Sequence, residues 1–226
     1  MNRRYFLAAA LTAVLSVVGC QSVPSGQRFD VVIRGGTVFD GTGTPGRVAD
    51  VGIVGDRILA IGDLSGAGAG RTIEARGLAV APGFINVLSW ANESLLHDGR
   101  SQSDIRQGVT LEVMGEGDSM GPLNDAMKAE MVKLQSDITY DVSWTTLGQY
   151  LELLERRGIS TNVASFVGAA TVRAHVVGLD NDKAAAGQLA EMQELVRAAM
   201  REGALGVGSS LIYAPGSFAD TEELVA

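Results

Sequence analysis

Cysteine and histidine are scarce in this sequence: one cysteine, Cys20, and two histidines, His97 and His175, in 226 residues. A single cysteine excludes an internal disulfide. The histidines lie far apart with no mutual pattern, so they form no metal-ligand motif. His97 follows Leu95-Leu96 in a polar connection and reads as a surface residue. His175 stands in the apolar run Ala174 to Val177 and reads as packed. Basic residues are also short, with 18 lysines and arginines against 26 aspartates and glutamates, for a formal charge of −8. An acidic chain argues against a nucleic-acid partner. No apolar run reaches the roughly 18 residues of a membrane-spanning helix. Hydrophobic residues at 46% and charged residues at 19% are ordinary for a globular protein. The length suits one sizeable core, or a small domain plus part of a larger one. Glycine is the abundant residue, 29 in all at irregular spacing, and it reads as turns and close packing.

Arg3-Arg4, the apolar run Tyr5 to Val18 and then Gly19-Cys20 make residues 1–20 a secretory signal. Val17-Val18-Gly19-Cys20 resembles a bacterial lipobox, which implies cleavage before Cys20 and lipidation of that cysteine. Gln21 after the cysteine implies sorting to the outer membrane, by resemblance to other lipoproteins. Asn2 to Leu7 also resembles a twin-arginine signal; an ordinary basic region with two adjacent arginines is the alternative. Residues 21–28, with Pro24 and Gly26, form a short polar tether that lets an anchored domain stand off the membrane. The expected location is the periplasmic face of a bacterial membrane.

Residues 29–80 read as β structure. Asp30 to Arg34 runs into the turn Gly35-Gly36, Val48 to Val54 alternates around Asp50, and Gly55-Asp56 turns the chain into Arg57 to Ile61. Thr72 to Glu74 and Leu78 to Val80 are two further short strands. Short strands at this spacing predict a small β-sandwich. From residue 81 the rhythm changes. Phe84 to Leu88, Gly108 to Met114, Thr161 to Phe166 and Leu205 to Ser209 read as strands. Asp125 to Gln135 reads as a helix. Thr146 caps another, with Leu147, Tyr150, Leu151 and Leu154 on one face and Gly158 as its stop. Ala184 to Glu202 is a third, ended by Gly203. Such alternation predicts an α/β fold with a parallel sheet. Asp220, with Glu223 three residues on, opens a further helix. So short a helix is not expected to stand alone. The chain is therefore expected to be an N-terminal piece, inactive and poorly stable by itself.

Several stretches resemble the N-acyl-D-amino-acid deacylases, a branch of the amidohydrolase superfamily. They are Asp30 to Thr42, Asp50 to Ile53, Arg57 to Gly62, Val80-Ala-Pro-Gly-Phe-Ile85 and, most specifically, Gly203 to Leu224. The resemblance spans roughly residues 29 to 226. It implies a (β/α)8 TIM-type barrel, of which residues 81–226 would be the first half, preceded by the β-sandwich domain. It also implies zinc and hydrolysis of the amide bond of an N-acyl (D-)amino acid. Zinc would polarise the acyl carbonyl and lower the pKa of a bound water, with a carboxylate moving the proton. The remaining strands, the later metal-binding histidines and the catalytic aspartate would lie beyond Ala226.

Three positions depart from the family pattern. The first-strand His-x-His pair is replaced by Leu88 and Trp90. Gly117 stands where the family has a cysteine ligand after strand two. Gly168-Ala169 replaces a Gly-His, although Arg173 fits the arginine that follows. Glu116, in the strand-two loop beside Asp118, is the candidate substitute zinc ligand; the alternative is a solvated loop acid. Glu112, inside strand two, is expected in a structural ion pair. Tyr213, with Ser209 and Ser210, is the candidate for substrate binding by resemblance, the alternative for Tyr213 being a loop anchor. Trp90 and Trp144 read as packing residues. Two functions remain: a metal-assisted amide hydrolase, or a metal-free binding or scaffold lipoprotein built on the same barrel.

Overall fold

The computed structural model describes residues 28–226. The segment expected to be a secretory signal, the Cys20 expected to carry lipid, and nearly all of the expected tether lie outside the described residues. Two compact units divide between Pro82 and Gly83.

The first unit is one mixed sheet. It comprises β1 (Arg28–Val38), β2 (Arg47–Val54), β3 (Arg57–Gly62), β4 (Gly68–Glu74) and β5 (Ala79–Val80). The order is β3-β2-β1-β4, and β5 continues beside the far end of β1. β1 pairs antiparallel with β2 and parallel with β4 and β5. The part of the expected sandwich that lies in residues 29–80 is one sheet: all five strands hydrogen-bond together. The reason is the length of β1. Its 11 residues reach β4 at one end and β5 at the other, so strands that look like separate layers in sequence share one partner. Phe29, Val32 and Leu64 bury one apolar cluster, and Val38, Ala49 and Val51 a second. Asp50 ties the turns together. Its carboxylate accepts from the Gly35 amide at 2.8 Å and the Leu64 amide at 3.0 Å, and it faces Arg34 at 3.6 Å.

The second unit carries a parallel sheet with helices. In chain order it contains β6 (Phe84–Asn86), α1 (Ser94–His97), α2 (Gln102–Ile105), β7 (Val109–Met114), α3 (Asp125–Leu134) and α4 (Leu147–Arg157). It continues with β8 (Asn162–Ser165), β9 (Val167–Gly168), α5 (Ala169–Val176), α6 (Ala186–Arg201), β10 (Val207–Gly208) and α7 (Thr221–Val225). β6, β7 and β8 are neighbours in that order, all parallel, and β9 pairs parallel with β10. The Phe166 amide donates to Met114 and the Leu205 amide to Ser165. β8 and β9 are thus one strand broken at Phe166, and four parallel strands run in chain order.

α3, α4 and α7 begin at side-chain caps, Asn124, Thr146 and Asp220. Thr146 and Gln149 make a reciprocal capping box on α4, and Gly158 ends it with φ +78°. Leu147, Tyr150 and Leu154 are its buried face. The Tyr150 hydroxyl donates to the Asn92 carbonyl at 2.8 Å, which fastens α4 to the loop after β6. Trp144 is buried and stacks on Tyr140, so it packs as expected. Trp90, by contrast, is 60% exposed. α5 is the helix that the sequence pattern misses: Gly168 offers no side-chain cap, and Thr171 and Val172 are weak helix formers. Tertiary burial of Ala170, Thr171, Val172 and Arg173 overrides that local preference.

Glu112 is fully buried, but in no expected ion pair. Its carboxylate accepts from the hydroxyls of Ser89 at 2.6 Å, Ser101 at 2.6 Å and Thr161 at 2.8 Å.

α7 is held by charge. Asp220 caps it by accepting from the Glu223 amide at 2.9 Å, and Lys183 bridges Asp220 and Glu222. Glu223, on α7, pairs with the buried guanidinium of Arg173 on α5. The short helix stands through this tie, not through its own length. Removing one partner of a buried pair strands the other charge. Glu223→Ala is therefore expected to destabilise the chain by about 3–5 kcal/mol, read from urea unfolding. A loss below about 1 kcal/mol would show that water or another group satisfies Arg173.

Candidate functional site at the strand ends

Parallel α/β sheets present ligands at the carboxyl ends of their strands. Here that face is made by Val87 to Trp90 after β6, Gly115 to Asn124 after β7, the start of α5 after β9, and Ser209 to Pro215 after β10. The loops meet backbone to backbone. A Cβ on Gly115 would stand 2.2 Å from the Phe166 carbonyl, one on Gly168 2.3 Å from Gly117, and one on Gly208 2.1 Å from Gly115. Glycine at these three positions lets the ends of β7, β9 and β10 close on each other. Ser119 locks the arrangement: its amide donates to Thr171 Oγ1, its hydroxyl donates to the Gly121 carbonyl, and it accepts from the Gly168 amide.

β6 ends at Asn86, and the chain bends at Val87 and Leu88. The Ser89 amide still donates to Val113, and Ser89 is buried against Glu112. Val87, Leu88 and Trp90 around it are 73%, 48% and 60% exposed, and none of them carries a metal donor atom.

Glu116 is exposed in the loop after β7, between two glycines with positive φ. No group of three or more His, Cys, Asp or Glu side chains able to hold a metal occurs among the described residues. These residues alone do not fit a zinc ion. Ser210 lies against Gly117, where an added Cβ would stand 2.7 Å from the Ser210 Cβ. Ser209 is exposed. Tyr213 is 62% exposed, and its carbonyl accepts from the Ser217 amide at 2.8 Å, so its backbone anchors the turn whatever its ring does. The structure thus brings Gly117, Ser210 and Ser119 to one rim and leaves Tyr213 and Glu116 pointing to solvent. His97 is exposed, as expected. His175 is half-buried on α5, with its Nδ1 buried and lacking a hydrogen-bond partner.

Asp118 follows Glu116 in the same loop. Partial burial pushes its carboxyl above the usual range, although the residue as a whole is exposed. Composition carried no signal for this, because the desolvating groups come from distant segments.

The geometry has close counterparts in solved structures. D-aminoacylase, whose structure is described as defining a novel subset of amidohydrolases, matches with a TM-score of 0.77 at 38% identity, over 87% of this chain and 42% of that one. The N-acyl-D-glutamate deacylase of Bordetella bronchiseptica, solved with zinc and a phosphonate inhibitor, matches with a TM-score of 0.77 at 32% identity, over 88% of this chain and 42% of that one. In sequence, the D-aminoacylase of Alcaligenes xylosoxydans xylosoxydans is 38% identical over 200 residues, 88% of this chain. This chain is a homologue of the D-aminoacylases, within the amidohydrolases. No model of a known protein family matches it. It spans about two-fifths of the length of the curated relatives it matches. Metal centres occur in the homologous D-aminoacylase structures, zinc among them.

Two outcomes test this rim of the D-aminoacylase homologue. Gly117 has φ +82°, and a side chain there meets Ser210. Gly117→Ala is expected to lower stability by about 2 kcal/mol, from left-handed strain plus the contact. Gly117→Cys is expected to cost at least as much, since its side chain meets the same backbone strain and the same Ser210 contact. The second outcome concerns Asp118. A carboxyl whose folded pKa lies above its unfolded value binds protons more readily in the native state. Stability is then expected to fall as pH rises from the ordinary aspartate value of 3.8 through the folded pKa. Asp118→Asn is expected to remove that fall. Carboxyl NMR titration checks it directly: a midpoint at or below 3.8 contradicts the burial argument.

Proposed function

We propose that this chain is the N-terminal part of an exported amidohydrolase that cleaves the amide bond of an N-acyl D-amino acid. The observation that carries the reading is 38% identity to a D-aminoacylase across 88% of the chain, reaching through the strand-end loops. Identities of 34% to an N-acyl-D-glutamate deacylase and 33% to an N-acyl-D-aspartate deacylase, both of Alcaligenes xylosoxydans xylosoxydans, support the same substrate class. The four parallel strands in chain order are read as the first half of a (β/α)8 barrel, and the mixed sheet as part of its small β domain.

Zinc, when bound in such an enzyme, polarises the acyl carbonyl and lowers the pKa of a water. Leu88 and Trp90 offer it nothing, so its ligands are proposed to come from other strand ends, with Glu116 the candidate on this chain. The work of residues 83–226 is then to shape the mouth. Leu88 and Trp90 make its strand-one side apolar, which excludes water from the scissile bond. The backbone-packed glycines fix the loops. Tyr213, Ser209 and Ser210 line the strand-four side, where they are proposed to hold the substrate carboxylate.

Residues 1–20 are proposed to export the chain, and Cys20 to anchor it by lipid to the outer membrane. A second reading is favoured by the same three positions, Leu88, Trp90 and Gly117: a barrel without metal that binds its ligand and does not cleave it.

The test uses the protein expressed from its complete gene. Zinc content by elemental analysis and release of free amino acid from N-acetyl-D-amino acids are the readouts. Release that is lost on chelation and regained with zinc is the expected result. Metal-free protein that binds substrate without releasing amino acid would sink the hydrolase and support the binding reading. Loss of lipid labelling and of membrane association in Cys20→Ala is expected for the anchor.

A further inference from the structure

A cavity of about 850 Å3 opens between α3, α5 and the loops after β7 and β10. Its size is within the roughly 300–1,000 Å3 of small-molecule sites. Asp118, Thr171 and Pro215 contribute to it from the ends of three parallel strands. Those are the strand ends at which such sheets bind ligands. Nothing in the proposed chemistry uses it.

Three features describe its occupant. The wall is apolar and soft: Met120, Met127 and Met131 face it together with Leu123, Val176 and Leu179. Methionine is unbranched and repacks around a flexible chain. Its charged lining residues are Asp118 and Glu130, with no lysine or arginine, which disfavours an anionic group inside. His175 Nδ1 belongs to a lining residue, is buried, and has no partner among the described residues. Because that atom is closed to solvent, the imidazole adds wall to the cavity and no free donor.

We propose that this cavity is an acyl-chain subsite. It takes the linear, apolar acyl group of an N-acyl amino acid along α3. The scissile amide stays at the strand-end opening of the cavity, and the amino-acid carboxylate lies outside the acidic rim. This rests on the N-acyl amino acid reading and adds a preference to it: long acyl chains over acetyl.

Binding tests it without turnover. N-dodecanoyl-D-alanine, below its micelle concentration, and N-acetyl-D-alanine are titrated into the purified protein by calorimetry. The dodecanoyl compound is expected to bind at least about tenfold tighter, since even two buried methylenes supply that much. Met131→Lys on the half-buried face of α3 and Leu179→Lys, at a residue 67% exposed, are each expected to reduce it to the acetyl level with the circular dichroism unchanged. Leu179 is exposed enough that its substitution tests the site even where Met131→Lys unfolds the protein. Equal binding of the two compounds overturns the proposal. So does tight binding that survives Leu179→Lys, which would move the chain to the exposed patch at Val87, Leu88 and Trp90. A dodecyltrimethylammonium ion binding more than about tenfold tighter than the dodecanoyl compound would make this a cation site and overturn it as well. Hydrolysis of N-acetyl substrates without a chain-length preference defeats the subsite and leaves the hydrolase standing. Chain-length-dependent binding without hydrolysis does the reverse.

Discussion

The parallel sheet is organised around one buried carboxylate. Glu112 sits in the middle of β7 at 0% exposure, and its two oxygens accept three hydroxyl protons. The donors come from three separate places: Ser89 after β6, Ser101 just ahead of α2, and Thr161 just ahead of β8. A buried charge left unpaired is costly, whereas hydrogen bonds to a charged group contribute about 1.5–3 kcal/mol each. The requirement to satisfy Glu112 therefore fixes the exit of one strand and the entry of another relative to the strand between them. It even imposes backbone strain, since Ser101 is held at φ +43°, a conformation few non-glycine residues adopt.

The same constraint bears on the residues around Ser89. Ser89 is buried against Glu112, while Leu88 and Trp90 on either side are 48% and 60% exposed. Their side chains are not what holds this segment, so they can differ without disturbing the fold. The strand-two position is different. Gly117 is pressed against Ser210 at positive φ, so the loop has settled around the absence of a side chain. One departure from the family is a change of chemistry on a fixed frame, and the other is built into the frame.

Much of the fold was legible because its signals are local. Thr146 with Gln149, Gly158, and Asp220 with Glu223 are capping signals within a few residues, and they place α4 and α7 correctly. The alternation of Val109, Leu111 and Val113 marks β7. What escaped was set by distant partners. β1 pairs with β2, β4 and β5, so three separate segments share one partner strand. α5 forms because its residues are buried, with no cap to announce it. Glu112 found hydroxyls where a cation was expected, since a hydroxyl's role depends on where it folds. At the site, the sequence pointed to Glu116, Ser209, Ser210 and Tyr213, which share a face with the other strand ends. The cavity beside them went unseen, although Met127 and Met131 at i and i+4 marked an apolar stripe on α3.

The division of labour between buried polar contacts and exposed strand ends bears on how such a site changes function. Glu112 and its hydroxyls, Tyr150 on Asn92, and Arg173 on Glu223 are polar contacts of buried side chains, where a single loss leaves a buried group unsatisfied. At the strand ends, Leu88, Trp90, Glu116 and Tyr213 are exposed and bound by few contacts, so each can change at little cost in stability. Side chains at these strand ends can therefore be replaced while the parallel strands stay in register. The binding surface follows the same logic. Once strand one presents an indole and a leucine, apolar contact becomes the dominant interaction available at that side of the mouth. The methionine-lined cavity extends the same chemistry along α3. The front of this sheet is therefore suited to hold the apolar part of a ligand, whichever side chains act on its polar part.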